Sequence, residues 1–366
     1  MRVLVTIGTR PEAIKMAPVI HALSGRGLEA RVCLTGQHRE LLDQVIRVFN
    51  VPVHHDLNLM KPGQTIHEVT AGVLLGMQHV LDAERPDVVL VHGDTTTTFA
   101  AALAAHYAQI PVGHVEAGLR TGRRYEPFPE ELNRQMADVL STHLYAATEG
   151  ARANLLAEGR NADSILVTGN TVIDALLQVA AQPHEFADPL LASLGRERRL
   201  ILVTAHRRES FGAPFEQMCA AFRHIVEANP GVELVYPVHP NPNVRDTARR
   251  LLAGVDRLHL VEPLDYVPFI HLLKKSWLVL TDSGGIQEEA PSLNVPVLVM
   301  RDATERPEAI ASGAAQLVGT SCNAITAAVQ ALLDNPAQHE GMANAANPFG
   351  DGHAAARIAN HLASLA

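Results

Sequence analysis

The 366-residue chain is poor in aromatic residues, which make up 4% of it, and it holds one tryptophan. Its cores must therefore be aliphatic, built from Val, Leu, Ile and Ala. Lysine is scarce as well: Lys15, Lys61, Lys274 and Lys275 are the whole set, so the positive charge is mostly arginine. No block of like charges occurs, and the net charge is −9. That excludes a nucleic-acid groove and an anionic membrane surface as partners. The three cysteines, Cys33, Cys219 and Cys322, are odd in number and far apart. Neither a disulfide framework nor a zinc knuckle fits that spacing, and a reducing compartment does. No run of about 18 apolar residues is present, so no membrane span is expected. The apolar run after Met1 is too short for a signal peptide, and a cytoplasmic protein is expected. Three motifs are missing: a Walker lysine loop, a Gly-x-Gly-x-x-Gly after the first strand, and a Gly-x-Ser-x-Gly elbow.

What is present is a long alternation of short apolar runs and helical patterns. The runs Val3–Ile7, Ala30–Leu34, Asp87–Val91, Val112–Val115, Leu144–Ala147 and Ile165–Val167 read as one series of strands. After a segment at 182–199 rich in Pro, Gly and charge comes a second series: Leu200–Thr204, Glu233–Tyr236, Leu258–Val261, Trp277–Leu280, Val297–Met300 and Gln316–Val318. Strands alternating with helices of about 10–15 residues imply parallel sheets covered on both faces. Two series imply two doubly wound α/β domains. The expected division is 1–170 plus 352–366 for the first domain and 171–351 for the second. The final helical pattern, 352–366, is expected to cross back to the first.

In doubly wound sheets, ligands gather at the carboxyl ends of the strands. Those ends carry an uneven set of charges. The first domain offers Arg10, Lys15, Asp94, Glu116, Arg120, Glu130 and Glu131. The second offers His206, Arg207, Arg208, His239, Arg301 and Arg306, together with the turn Ser283-Gly284-Gly285. That turn follows an apolar strand and opens a helix, with Ser283 placed as its N-cap. Helix-start amides and the helix dipole attract anions, and two glycines let a bulky one approach. Glu289, further along, could take a ribose hydroxyl pair. The turn is thus a candidate seat for a nucleotide diphosphate. Carboxylates gathered in a cleft raise one another's pKa, giving one acid and one base.

Each of these residues also has an ordinary reading. Ser283–Gly285 is a common strand-to-helix turn, and Asp94 before four threonines could cap a helix. Glu116 could be a structural carboxylate, and Glu130 and Glu131 stand in a first helical turn, where acids are stabilising. Lys15 could lie on a solvated face, and His206 is one of nineteen histidines. The pairs His92/Asp94 and His114/Glu116 could each share a strand face and hold a metal. No tight ligand motif accompanies them, so no metal is expected.

Longer motifs add a resemblance. Gly8-Thr-Arg-Pro-Glu-Ala-Ile-Lys15, Val91-His-Gly-Asp-Thr-Thr-Thr-Thr98, His114-Val-Glu-Ala-Gly-Leu-Arg120, Pro129-Glu-Glu-Leu-Asn-Arg134, His206-Arg-Arg-Glu-Ser-Phe-Gly212, residues 281–293, Thr304-Glu-Arg-Pro-Glu308 and Asn347-Pro-Phe-Gly-Asp-Gly352 run in order along nearly the whole chain. In these motifs the chain resembles the bacterial non-hydrolysing UDP-N-acetylglucosamine 2-epimerases. The resemblance implies a GT-B fold, two Rossmann-like domains facing across a cleft, and a homodimer. It implies reversible conversion of UDP-N-acetylglucosamine to UDP-N-acetylmannosamine through elimination of UDP, a 2-acetamidoglucal and re-addition. It implies no nicotinamide or metal cofactor.

Carried over by position, Asp94, Glu116 and Glu130 handle protons and His206 steadies the leaving diphosphate. Ser283, Gly284, Gly285, Glu289 and Arg306 form the UDP pocket, with Phe269 beside the uracil and Arg10 and Lys15 reaching in. Gln37, Glu40, Arg207 and His239 match a second-substrate activator site of some relatives. Gly63 and Leu264 depart from the pattern of that site. A hydrolysing epimerase, a GT-B glycosyltransferase and a non-catalytic sugar-nucleotide sensor are the alternatives.

Overall fold

The computed structural model describes residues 1–36, 39–61 and 63–366. Seven strands form the first sheet: β1 (Arg2–Ile7), β2 (Glu29–Leu34), β3 (His55–Asp56), β4 (Val88–His92), β5 (Val112–Ala117), β6 (His143–Ala146) and β7 (Ile165–Val167). All neighbours pair in parallel, in the order β3-β2-β1-β4-β5-β6-β7. Six strands form the second: β8 (Arg199–Thr204), β9 (Val232–Pro237), β10 (Leu258–Val261), β11 (Leu278–Thr281), β12 (Val297–Val299) and β13 (Ala315–Leu317). They too are parallel, in the order β10-β9-β8-β11-β12-β13. The fold is the pair of doubly wound α/β sheets expected of the GT-B class.

The central strands are buried on both faces, as unbroken apolar runs require. Val3, Leu4, Val5 and Ile7 are all inaccessible, as are Ile201, Leu202 and Val203. The few aromatics do concentrated work: Phe215 and Phe222 of the helix Ala213–Ala228 lie in the second core with Ile325 and Val329 of the helix Cys322–Asp334. Each such fully buried side chain contributes about 1.5–3 kcal/mol. β3 is two residues long and carries no apolar run, so periodicity gave no sign of it.

The chain groups into one unit of Met1–Ala175 with Phe349–Ala366 and another of Leu176–Pro348. These bounds differ by a few residues from the expected 170/171 and 351/352. The cause is local. Asp174, inside the helix Thr171–Ala180, accepts the amides of Ala354 (3.2 Å) and Ala355 (2.9 Å) at the start of the helix Ala354–Ser364. The Asn170 amide donates to the Phe349 carbonyl at 2.6 Å.

In each sheet the chain order reverses once, between β1 and β4 in the first and between β8 and β11 in the second. Strand ends at such a reversal are where doubly wound folds bind ligands. Gly8–Arg10 and Gly93–Asp94 flank the first reversal, His206 and Ser283 the second. Among the described residues no helix is long and apolar enough to cross a membrane.

Candidate active site

The first unit's reversal point is held by a buried carboxylate. This is Glu12, in the first turn of the helix Arg10–Gly25. Its Oε2 accepts the amides of Gly8 (2.5 Å) and Thr9 (2.7 Å), and its Oε1 accepts the Thr95 hydroxyl (2.5 Å). One side chain thus ties the turn after β1 to the turn after β4. The packing there demands glycine: a Cβ at Gly8 would meet Thr97 Oγ1 at 2.3 Å. Thr95, not Asp94, caps the following helix, accepting the Thr98 amide at 3.2 Å. Asp94 is left to face elsewhere. Its carboxylate pairs with Arg134, and its carbonyl accepts Asn133 Nδ2 at 3.0 Å.

Glu116 sits on strained backbone. Its φ is +66°, and the β5–β6 register slips between Val115 and Ala117, so a bulge turns this residue out of the strand's alternation. The carboxylate lies 2.5 Å from Lys15 Nζ and 3.3 Å from His92 Nε2. Burial pushes the Glu116 carboxyl up, but the Lys15 charge and the His92 contact outweigh it and hold the group well below the usual carboxylate range. This corrects the expectation that neighbouring acids raise one another: the group nearest Glu116 is a cation. Lys15, expected to reach into the UDP pocket, has its ammonium at this acid.

The bulge also separates His114 from Glu116, two residues that alternation alone would put on one face. His114 points into the core, Nδ1 at 2.6 Å from Asp138 and Nε2 at 2.7 Å from the Gly93 carbonyl, away from Glu116. Among the described residues no three His, Cys, Asp or Glu side chains come together as a metal-holding group. Glu131 is buried and structural, accepting the amides of Thr121 (3.1 Å) and Gly122 (3.3 Å). Glu130 differs. Its Oε2 is buried without a hydrogen-bond partner, on the wall of a cavity of about 540 Å³ that Thr9, Thr95, Ile66 and Val69 also line. Arg10, half-buried, opens the helix Arg10–Gly25 beside the same turn.

The second unit builds its reversal point around Asp282, fully buried after β11. Asp282 Oδ2 accepts the amides of His206 and Arg207, each at 2.8 Å. The Ser283 amide donates to Thr281 Oγ1 at 2.9 Å, and Thr281 Oγ1 in turn meets Thr204 Oγ1 at 2.6 Å. Ser283 occupies the N-cap position of the helix Gly284–Glu289, but its hydroxyl makes no capping bond. The N-cap position is therefore the expected one, held without a side-chain bond.

Nothing inside the protein requires glycine at 284 or 285. Neither has a positive φ, and a Cβ would only touch Arg207 Nη2 (3.5 Å) or Glu289 Oε1 (3.6 Å).

Arg207, assigned by resemblance to an activator site, thus has its guanidinium at the Ser283 turn, 3.6 Å from Glu305. His239, assigned to the same site, stacks on His206 with ring centroids 5.3 Å apart. Burial and the neighbouring His206 push His239 down. Arg306 is ion-paired with Glu288, whose carbonyl accepts Asn347 Nδ2 at 2.8 Å. Phe269 is half-buried on the helix Tyr266–Lys275. Gln37 and the side chain of Glu40 lie outside the described residues.

Residues the sequence did not single out are Glu12, Arg134 and Asp282. Arg134 stands four residues after Glu130, on the same helix face, which is a usable signal. Asp282 is a charge directly after a buried apolar strand.

The family model for UDP-N-acetylglucosamine 2-epimerase matches residues 21–363. A Yersinia pestis UDP-N-acetylglucosamine 2-epimerase is 53% identical, over 98% of this chain and 97% of the relative. The crystal structure of UDP-GlcNAc 2-epimerase from Neisseria meningitidis bound to UDP-GlcNAc aligns with a TM-score of 0.87 and 46% identity, covering 100% of both chains. The Methanocaldococcus jannaschii UDP-GlcNAc 2-epimerase in complex with UDP-GlcNAc and UDP aligns at 0.79 and 35% identity, again over 100% of both.

Proposed function

The chain belongs to the UDP-N-acetylglucosamine 2-epimerase family, and from that premise we propose that it interconverts UDP-N-acetylglucosamine and UDP-N-acetylmannosamine without hydrolysis. The observation that carries the reading is Glu116, kept ionised by Lys15 and His92 on strained backbone. A carboxylate ionised at neutral pH can accept a proton, and its position beside Lys15 lets that cation balance the charge left when it does not.

In this scheme Glu116 removes the C2 proton while the C1–oxygen bond breaks and its electron pair leaves with UDP. The product is a 2-acetamidoglucal. A proton then returns to C2 on the opposite face, and UDP re-adds at C1. Asp94 and Glu130 are the candidates for returning the proton, Glu130 through its unpartnered oxygen. The scheme balances in one proton and one carbon–oxygen bond. His206 and Arg207, beside the Ser283 turn, meet the charge that grows on the departing diphosphate. Ser283, Gly284, Gly285, Glu289 and Arg306 hold UDP, with Phe269 at the base. Arg207 and His239 are contacts of this same pocket before they are contacts of any activator.

Incubation with UDP-N-acetylglucosamine in heavy water tests the proposal. Deuterium at C2 in both sugar nucleotides, with no free N-acetylmannosamine, is the expected result. Release of free sugar would convert the reading to the hydrolysing reaction, and absence of both deuterium and manno product would end it.

We also propose a homodimer in the cytoplasm. Leu75, Tyr107, Met136 and Val139 stand 62, 68, 45 and 61% exposed on three neighbouring helices, Ile66–Glu84, Thr96–Tyr107 and Glu130–Leu140. Such residues favour cover by a second copy. The cysteines are all free, as a reducing compartment keeps them.

A further inference from the structure

We infer that Asp282 is a positioning residue for His206, an inference that rests on the epimerase reading and gives one of its parts a mechanism. Asp282 is completely buried, and a buried carboxylate is costly unless both oxygens are satisfied. Only one is. Oδ2 takes the backbone amides of His206 and Arg207 at 2.8 Å each, while Oδ1 is buried without a hydrogen bond. The nearest basic atom to Oδ1 is His206 Nδ1, at 3.6 Å. The imidazole is 41% exposed and stacks on the His239 ring.

The two oxygens therefore divide the work. Oδ2 fixes where the His206–Arg207 backbone runs after β8. Oδ1 waits for the ring. A rotation that shortens 3.6 Å by less than 1 Å makes an Nδ1–H···Oδ1 bond, and catalytic hydrogen bonds commonly tighten in this way when substrate binds. With Nδ1 bonded to the carboxylate, Nε2 is aimed outward and its proton is free for a phosphate oxygen. The carboxylate also offsets the positive charge of an imidazolium facing the departing diphosphate. The contribution is made as the bond breaks, so it belongs to turnover more than to substrate affinity.

Asp282→Asn isolates the second oxygen. The asparagine carbonyl can still accept both backbone amides, and the amide nitrogen then stands where Oδ1 stood. It can donate but cannot accept from Nδ1–H. The experiment measures kcat and KM of UDP-N-acetylglucosamine epimerisation for the full-length wild type, Asp282→Asn, His206→Asn and the double variant. UDP affinity by calorimetry and thermal unfolding are followed in parallel.

The expected result is a fall in kcat of about 10²-fold or more for Asp282→Asn, with KM and UDP affinity within about threefold. In the His206→Asn background the second substitution then costs less than about threefold, because two residues acting as a unit are non-additive. Equal losses in both backgrounds, or a change confined to KM and unfolding temperature, would make Asp282 a structural residue and overturn the inference. A wild type that does not epimerise would instead overturn the function on which the inference rests.

Discussion

Replacing Lys15 by methionine removes one charge and keeps the length of the side chain. The consequence can be worked from the geometry. Lys15 Nζ is 2.5 Å from Glu116 Oε2, and both side chains are largely buried, at 17 and 14% exposure. An opposite charge at such range lowers a carboxyl by about 1–3 units. Each unit corresponds to about 1.4 kcal/mol, so the pair holds the ionised form by about 1.4–4 kcal/mol. Without Lys15 burial is opposed by His92 alone, and the carboxyl climbs by the same interval.

For a base depressed in the folded protein, activity is complete above its pKa and fails as pH falls through it. The wild type should therefore keep its rate to below pH 4.5, the ordinary value from which Glu116 is lowered. In Lys15→Met the acid limb of kcat/KM should move up by about 1–3 pH units, and raising the pH should restore much of the loss. Lys15→Arg, which keeps a cation, should hold the limb in place. The assay is deuterium incorporation at C2 followed by proton NMR across pH. An unmoved acid limb in Lys15→Met, with the rate reduced equally at every pH, would refute the reasoning.

Gly284→Val should abolish UDP binding by calorimetry while leaving the unfolding temperature within a few degrees, because its Cβ meets only ordinary contacts. A variant that unfolds at the wild-type temperature and still binds UDP would remove the diphosphate from this turn. Glu84→Gln should destabilise the first unit by about 1–3 kcal/mol after allowance for solvent at the half-exposed Arg31. The Arg31 bond, working against burial and joined by His55, lowers the Glu84 carboxyl to about 2, so the wild type's advantage in urea unfolding should shrink as pH falls from about 4.5 toward 2. Thiol titration of the folded protein should find Cys322 reactive and Cys33 and Cys219 silent, since burial pushes both of those thiols up to about 12.

The strands were legible because parallel strands covered on both faces are dominated by aliphatic side chains, as Val3–Val5 and Leu278–Leu280 are. β3 was not, because two residues at a sheet edge leave no pattern. In the candidate site, the residue types at strand ends were legible and their pairings were not. Residue spacing places His114 and Glu116 on one face, and a single positive φ at Glu116 reverses that. Lys15 and Glu116 lie 101 positions apart, so no local pattern announces their contact. Asp282 went unassigned because its work is done with backbone amides, which are identical in every sequence.

The position of Asp174 bears on how the protein is made. Its carboxylate is satisfied by amides 180 and 181 residues further along, at Ala354 and Ala355. During translation the whole of Leu176–Pro348 emerges between the two. That intervening stretch is contiguous and can collapse as it leaves the ribosome. The earlier-born unit can close these two bonds only after its younger neighbour has been synthesised.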